Sequence, residues 1–203
     1  MKAETINNLK ESYNKYADVR EKAQIQPWKN EVRGNFLKTL KDEGKITLLD
    51  IGAGPGRDSK FFRDNGLKTI ATDFSREMIR LCREKDLEAW ELDFLSLHLL
   101  NRKFDAVWSL NSLLHTEKRD LPRVLEEIKG VLKPEGILFL GVYGGEDFEG
   151  IWEQDRYTPN RFFSFYTDEG IIDAAAKYFN IIDFKSIETG GRYHFQALIL
   201  KNI

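Results

Sequence analysis

Apolar residues recur along this chain with two different periods. Over residues 3–25 and 28–43 they fall a helical turn apart, and Pro27 separates the two stretches. In the second, Val32, Phe36, Leu37 and Leu40 share one face. At Lys45 the pattern changes to short continuous apolar runs alternating with helical stretches. Residues 45–51 read as a buried strand that ends in Gly52-Ala-Gly-Pro-Gly56. Residues 57–65 follow as a helix, with Gly66 as its terminator. Residues 68–73 give a second strand. Ser75 then caps a helix reaching about Lys85, with Glu77 in its first turn. Residues 87–92 and 104–110 supply strands three and four. Leu121, Val124, Leu125, Ile128 and Leu132 mark a helix stopped by Lys133-Pro-Glu-Gly136, and residues 137–142 form strand five.

Strands and helices alternating at this length predict an α/β domain, a parallel sheet covered on both faces with right-handed crossovers. The end of the chain departs from that pattern. Residues 167–179 read as a helix, and strand-like runs follow at 181–187 and 193–201. Glu188-Thr-Gly-Gly-Arg192 joins these two runs as a turn. The sheet is therefore expected to finish in a hairpin, with one strand running against the rest. Residues 144–166 read as a long loop rich in aromatics, and loops of that length are usually functional. With no repeat or linker, residues 1–203 are expected to form a single domain. Within it, 1–43 is a helical cap segment and 144–166 a substrate loop.

The 203 residues carry 41% hydrophobic and 32% charged side chains, a balance that excludes wholesale disorder. A formal net charge of −2 does not hold nucleic acid by global attraction. The one cysteine excludes an internal disulfide framework and a cysteine zinc cluster. The N-terminus shows no apolar run, and the longest apolar stretch, 137–143, is far short of a membrane helix. The expectation is a cytoplasmic protein without a membrane partner.

The glycines at 52, 54 and 56 let backbone approach a ligand at the head of a helix N-terminus. In a doubly wound sheet, that crevice is where ligands sit. Arg57 stands where the dinucleotide fingerprint needs a third glycine. Asp73, closing the second strand, is placed to accept from ribose hydroxyls. An ordinary turn and a helix-flanking Asp are the bland alternatives. Taken together, the two features fit an adenosine-bearing cofactor.

Five segments, in order, resemble the motifs of the class I S-adenosylmethionine-dependent methyltransferases, small stand-alone bacterial type. They are Leu48-Leu-Asp-Ile-Gly-Ala-Gly-Pro-Gly56, Ile70-Ala-Thr-Asp-Phe-Ser-Arg-Glu-Met78, Glu91-Leu-Asp-Phe-Leu95, Phe104 to Asn111 with Leu114-His115, and Leu132-Lys-Pro-Glu-Gly-Ile-Leu138. The resemblance covers about residues 12–200. It implies a Rossmann-like seven-stranded sheet of order 3-2-1-4-5-7-6 with strand seven antiparallel. It implies S-adenosylmethionine as cofactor, with Gly52, Ala53 and Gly54 along its methionine portion and Asp50 at its amino group. Asp73 would hold the ribose, Phe74 and Met78 would pack on the adenine, and Asp93 and Phe94 would address its amino edge. Leu110 would touch the methionine end, Arg57 would pair with the carboxylate, and Tyr13 and Tyr16 would fold over the cofactor. Met78 reads equally as helix core, and Arg57 equally as a solvated first-turn residue.

His115, just beyond strand four, is the candidate general base; the alternative is a structural histidine bonded to backbone. Tyr143, Tyr157, Arg161, Tyr166, Arg192 and His194 are the candidate acceptor residues, with a packed lid as the alternative. The implied activity is methyl transfer to a small-molecule acceptor, with a nucleic acid or peptide acceptor left open. A nicotinamide-dependent oxidoreductase fits Asp73 but not the glycine spacing. A non-catalytic cofactor-binding protein on the same scaffold is the other alternative.

Overall fold

A computed structural model describes residues 3–202. Met1, Lys2 and Ile203, the ends of the expected domain, lie outside the described residues. The chain opens with α1 (Ala3–Lys15), α2 (Ala17–Lys22) and α3 (Pro27–Asp42). The single helix expected over 3–25 is thus split at Tyr16 and ends at Lys22. Backbone bonds from Tyr16 to Ser12 and from Arg20 to Tyr16 carry the helix across the split. Pro27 occupies the first turn of α3, where its missing N–H costs nothing.

The alternating region holds β1 (Thr47–Ile51), α4 (Arg57–Asp64), β2 (Lys68–Asp73), α5 (Arg76–Arg83), β3 (Glu88–Glu91), β4 (Phe104–Leu110), α6 (Leu121–Val131) and β5 (Leu132–Gly144). Ser75 caps α5 through its hydroxyl, which accepts the Met78 N–H at 3.3 Å. Next come β6 (Phe148–Ile151), β7 (Phe162–Phe165), α7 (Asp168–Ala176), β8 (Asn180–Ile187) and β9 (His194–Lys201). The main sheet has the order β3-β2-β1-β4-β5-β9-β8. Strands β1 to β5 pair in parallel, and β9 runs antiparallel to both β5 and β8. That is the expected order and the expected reversed strand.

Side chains alternate across this sheet into two cores. Along β4 and β5, Val107, Leu138, Leu140 and Val142 pack with Leu125 and Ile128 of α6 and Ile171 of α7. Ala106, Trp108, Ile137 and Phe139 pack on the other face with Phe36 of α3 and Phe62 of α4. Trp108 stacks on Phe139 with ring centres 4.1 Å apart, and its indole N–H donates to Asp58 at 3.2 Å. Strand order reverses between β1 and β4, and the crevice at their carboxyl ends is where the site forms.

The segment 144–166 is not the structureless loop expected of it. Strands β6 and β7 pair antiparallel, with Phe148 opposite Phe165 and Ile151 opposite Phe162. Aromatic cross-strand pairs of this kind hold short strands together. Trp152 meets Phe163, Phe165 and Tyr193 edge-on, which gives the hairpin a small aromatic core of its own.

Candidate active site

The site is built from the β1–α4 turn. Gly52 has φ +64°, and a Cβ there would stand 2.3 Å from the Ser112 Cβ. Only glycine meets both constraints. Gly54 has φ +56°, and a Cβ on it would approach nothing but the Arg20 guanidinium, at 4.0 Å. Its backbone therefore faces open space. Asp73 locks this turn from beside it, accepting the Gly54 N–H at 2.9 Å and the Ser75 N–H at 2.8 Å. Burial raises the Asp73 carboxyl pKa, and these two N–H groups oppose the rise. Asp50 is buried in β1 and accepts the Ser59 hydroxyl at 2.5 Å. Burial, with Asp58 nearby, pushes its pKa well above the usual carboxylate range.

Two cavities adjoin the turn. The larger, ≈ 290 Å³, is lined by Asp50, Gly52, Ala53, Gly54, Arg57 and Leu110, and by Tyr13, His115, Tyr143 and Arg161. The smaller, ≈ 110 Å³, is lined by Phe74, Asp93 and Phe94 with Ile6, Leu9 and Thr116. His115 lines both. Buried polar atoms without a partner border them: Arg20 Nε and Asn111 Oδ1 at the larger, Thr116 Oγ1 at the smaller. An orphan donor and acceptor beside a glycine floor suit a zwitterionic amino-acid end. Mainly apolar walls that also carry Asp93 and Asp120 suit an aromatic ring with a polar edge. The residues present thus fit S-adenosylmethionine.

His115 is buried and fully engaged. Its Nδ1 lies 2.7 Å from the Phe162 carbonyl oxygen, which can only accept, so Nδ1 carries the proton. Nε2 is then an acceptor, and the Tyr13 hydroxyl donates to it at 2.5 Å. Arg161 Nη1 donates in turn to the Tyr13 oxygen at 3.1 Å. Arg161 is gripped by Asp155, which accepts from Nε and Nη2 at 2.8 Å each. Burial, with the Arg161 charge, pushes the His115 pKa down to about 3; the Phe162 carbonyl opposes this. The imidazole is therefore neutral across ordinary pH.

Several expected residues stand apart from these cavities. Tyr16 stacks flat on Tyr157, ring centres 4.3 Å apart, and neither lines a cavity. Met78 is fully buried among Leu9, Tyr13, Ala17 and Leu81 as core. Asp73 spends both oxygens on backbone and lines neither cavity. Arg192 is exposed and pairs with Glu146 at 2.6 Å. His194 bonds Asp168 at 2.7 Å, and Tyr166 borders an inner void of ≈ 10 Å³ among core side chains. Arg20, Gln24 and Lys29 line the larger cavity and were not expected there. They sit on or between helices whose surface pattern carries no motif. Asn111, with φ +54° directly after β4, has a left-handed backbone that asparagine tolerates better than most residues do.

A methyltransferase-domain family model matches residues 49–140. A malonyl-acyl-carrier protein O-methyltransferase of Pseudescherichia vulneris is 28% identical over 136 residues, covering 64% of this chain and 53% of that protein. A glycine/sarcosine N-methyltransferase of Parasynechococcus marenigrum is 34% identical over 114 residues, covering 52% of this chain and 40% of that protein. The chain thus spans about half the length, or less, of these curated relatives. Among solved structures, a 1,6-didemethyltoxoflavin-N1-methyltransferase of Burkholderia thailandensis, with 1,6-didemethyltoxoflavin and S-adenosylhomocysteine bound, aligns with a TM-score of 0.74. The match covers 98% of this chain and 89% of that one at 17% identity, a likeness of fold. Residues 49–140 thus carry a methyltransferase domain, and the chain resembles the class I S-adenosylmethionine-dependent methyltransferases in sequence there and in fold along nearly its whole length. Among the described residues, no helix is long and apolar enough to cross a membrane.

Proposed function

We propose that this chain transfers the methyl group of S-adenosylmethionine to a small-molecule acceptor held in the larger cavity. One observation carries the reading. Two cavities, one glycine-floored and charged and the other mainly apolar with Asp93 and Asp120 in its wall, meet at His115 beside the glycine turn. The cofactor divides the same way, into a methionine end and an adenine end. Its sulfonium supplies a reactive methyl group.

The chain's own residues bind and orient. Gly52, Ala53 and Gly54 would take the methionine end by backbone, with Asp50 and Leu110 beside it. Phe74, Asp93 and Phe94 would take the adenine end. Asp73 acts on the cofactor by fixing the Gly54 N–H. His115 has both ring nitrogens committed and stays neutral, so its part is to hold Tyr13 against the shared wall of the two cavities. Methyl transfer depends on alignment of the attacking atom, and aligned groups alone supply large rate factors. Of the named relatives, two act on glycine or sarcosine and on 1,6-didemethyltoxoflavin, which favours a small acceptor, and one acts on malonyl-acyl-carrier protein. Near-neutral charge weighs the same way. Residues 1–203 would work as one unit, with 1–43 covering the cofactor and 144–166 closing the acceptor side.

Titration calorimetry with S-adenosylhomocysteine and NAD, followed by methyl-labelled cofactor incubated with a metabolite extract, tests this. Saturable S-adenosylhomocysteine binding, no NAD binding and label in low-mass products are expected. Absence of cofactor binding sinks the reading. Binding without label transfer points instead to the non-catalytic alternative.

A further inference from the structure

We propose that the acceptor carries a carboxylate or phosphate group, received by Lys29 where the α2–α3 junction and Tyr143 line the larger cavity. The inference rests on the methyl-transfer reading of that cavity and adds the chemical class of its substrate.

Four cations line the cavity: Arg20, Lys29, Arg57 and Arg161. Arg161 is answered by Asp155 at 2.8 Å. Among the described residues, the other three have no carboxylate paired to them. The Lys29 ammonium makes no hydrogen bond or ion pair with any described residue and lies 5.2 Å from the Trp28 ring centre. Arg57 donates to the Ala23 carbonyl. Arg20 reaches the Tyr157 hydroxyl at 3.4 Å and leaves a buried Nε without a partner.

The carboxylates nearby are already used. Asp58 is held by Arg33 at 3.1 Å and by the Trp108 indole N–H at 3.2 Å. Asp50 is buried on Ser59. Burial pushes the Lys29 pKa down to about 8; Arg20 and Arg57 push the same way, and Asp58 opposes them. Like charges gathered in a cavity are relieved by loss of a proton or by an anion, and an anion bound there favours the charged ammonium.

S-adenosylmethionine cannot relieve all of them. It brings one carboxylate together with an ammonium and a sulfonium, so it adds net positive charge. The cofactor's single carboxylate falls between Arg20, whose guanidinium lies 4.0 Å from where a Gly54 Cβ would stand, and Arg57, directly after the glycine turn. Lys29 remains for an anion that enters with the acceptor. Gln24 lines the same end and offers an amide N–H to it. The cations first expected in this role, Arg161 and Arg192, are already paired with Asp155 and Glu146.

The test uses the whole protein saturated with S-adenosylhomocysteine. Succinate, inorganic phosphate and the neutral succinamide are titrated into wild type, Lys29→Met and Lys29→Arg by calorimetry. Saturable binding of succinate or phosphate, none of succinamide, and at least tenfold weaker anion binding in Lys29→Met are expected, with most of the affinity kept in Lys29→Arg. Which anion binds more tightly distinguishes a carboxylate from a phosphate acceptor. Failure of both anions to bind, equal binding of succinamide, or unchanged anion affinity in Lys29→Met overturns the proposal. Loss of S-adenosylhomocysteine affinity in Lys29→Met also overturns it, because Lys29 would then be a cofactor ligand. If wild type does not bind S-adenosylhomocysteine, the methyl-transfer reading fails by itself. The same anion titrations on unliganded protein then still decide the anion site.

Discussion

Replacing Arg161 with methionine should destabilise the protein more than any surface substitution. The Arg161 and Asp155 side chains are 15% and 4% exposed, so water and salt screen the pair little. Arg161 donates twice to Asp155 at 2.8 Å and once to Tyr13 at 3.1 Å, and its guanidinium lies 3.9 Å from the Tyr157 ring centre. Arg161→Met removes all four contacts and leaves the Asp155 carboxylate buried and short of its cation. Breaking a buried pair in this way costs about 3–5 kcal/mol. Asp155→Asn with Arg161→Met removes both charges, so the double variant should lose less than the sum of the singles. The coupling should be about 2 kcal/mol. Urea unfolding of wild type, both singles and the double closes the cycle. A single-variant loss under about 1 kcal/mol, with no coupling, would show that the pair does not hold the β6–β7 connection together.

The buried neutral His115 makes a pH prediction. Its folded pKa of about 3 lies below the ordinary histidine value of 6.5, so the unfolded chain binds the extra proton first. Stability is then full above about pH 6.5 and falls as pH drops toward 3. The loss between pH 6.5 and 5 should be about 2 kcal/mol. His115→Gln should flatten that slope in urea unfolding, and an unchanged slope would contradict the assignment. Two glycines make an opposed pair in thermal unfolding and calorimetry. Gly52→Ala, with its Cβ 2.3 Å from Ser112, should lower both stability and S-adenosylhomocysteine affinity. Gly34→Ala in α3, where a Cβ meets nothing within 4 Å, should stabilise by about 0.5–1 kcal/mol. Equal effects at the two positions would refute the steric account.

Part of the lining of the two cavities, from Asp50 to Arg57 and at Phe74, Asp93, Phe94 and Leu110, was legible because its information is local. The glycines of 52–56 and the residues ending β1, β2 and β4 sit at fixed offsets from apolar runs that can mean little but strands. The acceptor half was not legible, because it depends on which cation finds which anion. Arg161 looked available until Asp155, six residues away, folded back onto it. Arg192 looked well placed for the site until its turn proved exposed and bound to Glu146. Lys29 and Arg20 are ordinary helix residues by periodicity, and only tertiary packing turns them inward. The β6–β7 hairpin escaped for a related reason. Its four-residue strands are shorter than the alternation needed to read them, and the pairing that stabilises them spans the Trp152–Arg161 excursion.

Strand β9 has a consequence for how the chain is made. It is inserted between β5 and β8 rather than added at an edge. A ribosome-bound chain halted near residue 190 would hold β1 to β5 paired and β8 synthesised, yet β8 would have no neighbour in the sheet. One flank of β5, from Ile137 to Gly144, would offer unpaired backbone along its whole length. Its apolar side chains Leu138, Leu140 and Val142 would be only partly covered. Such an open edge pairs readily with other chains. The emergence of 194–201 therefore closes two strand interfaces at once, and the interval before it is when the nascent protein is most exposed to aggregation and most in need of a chaperone.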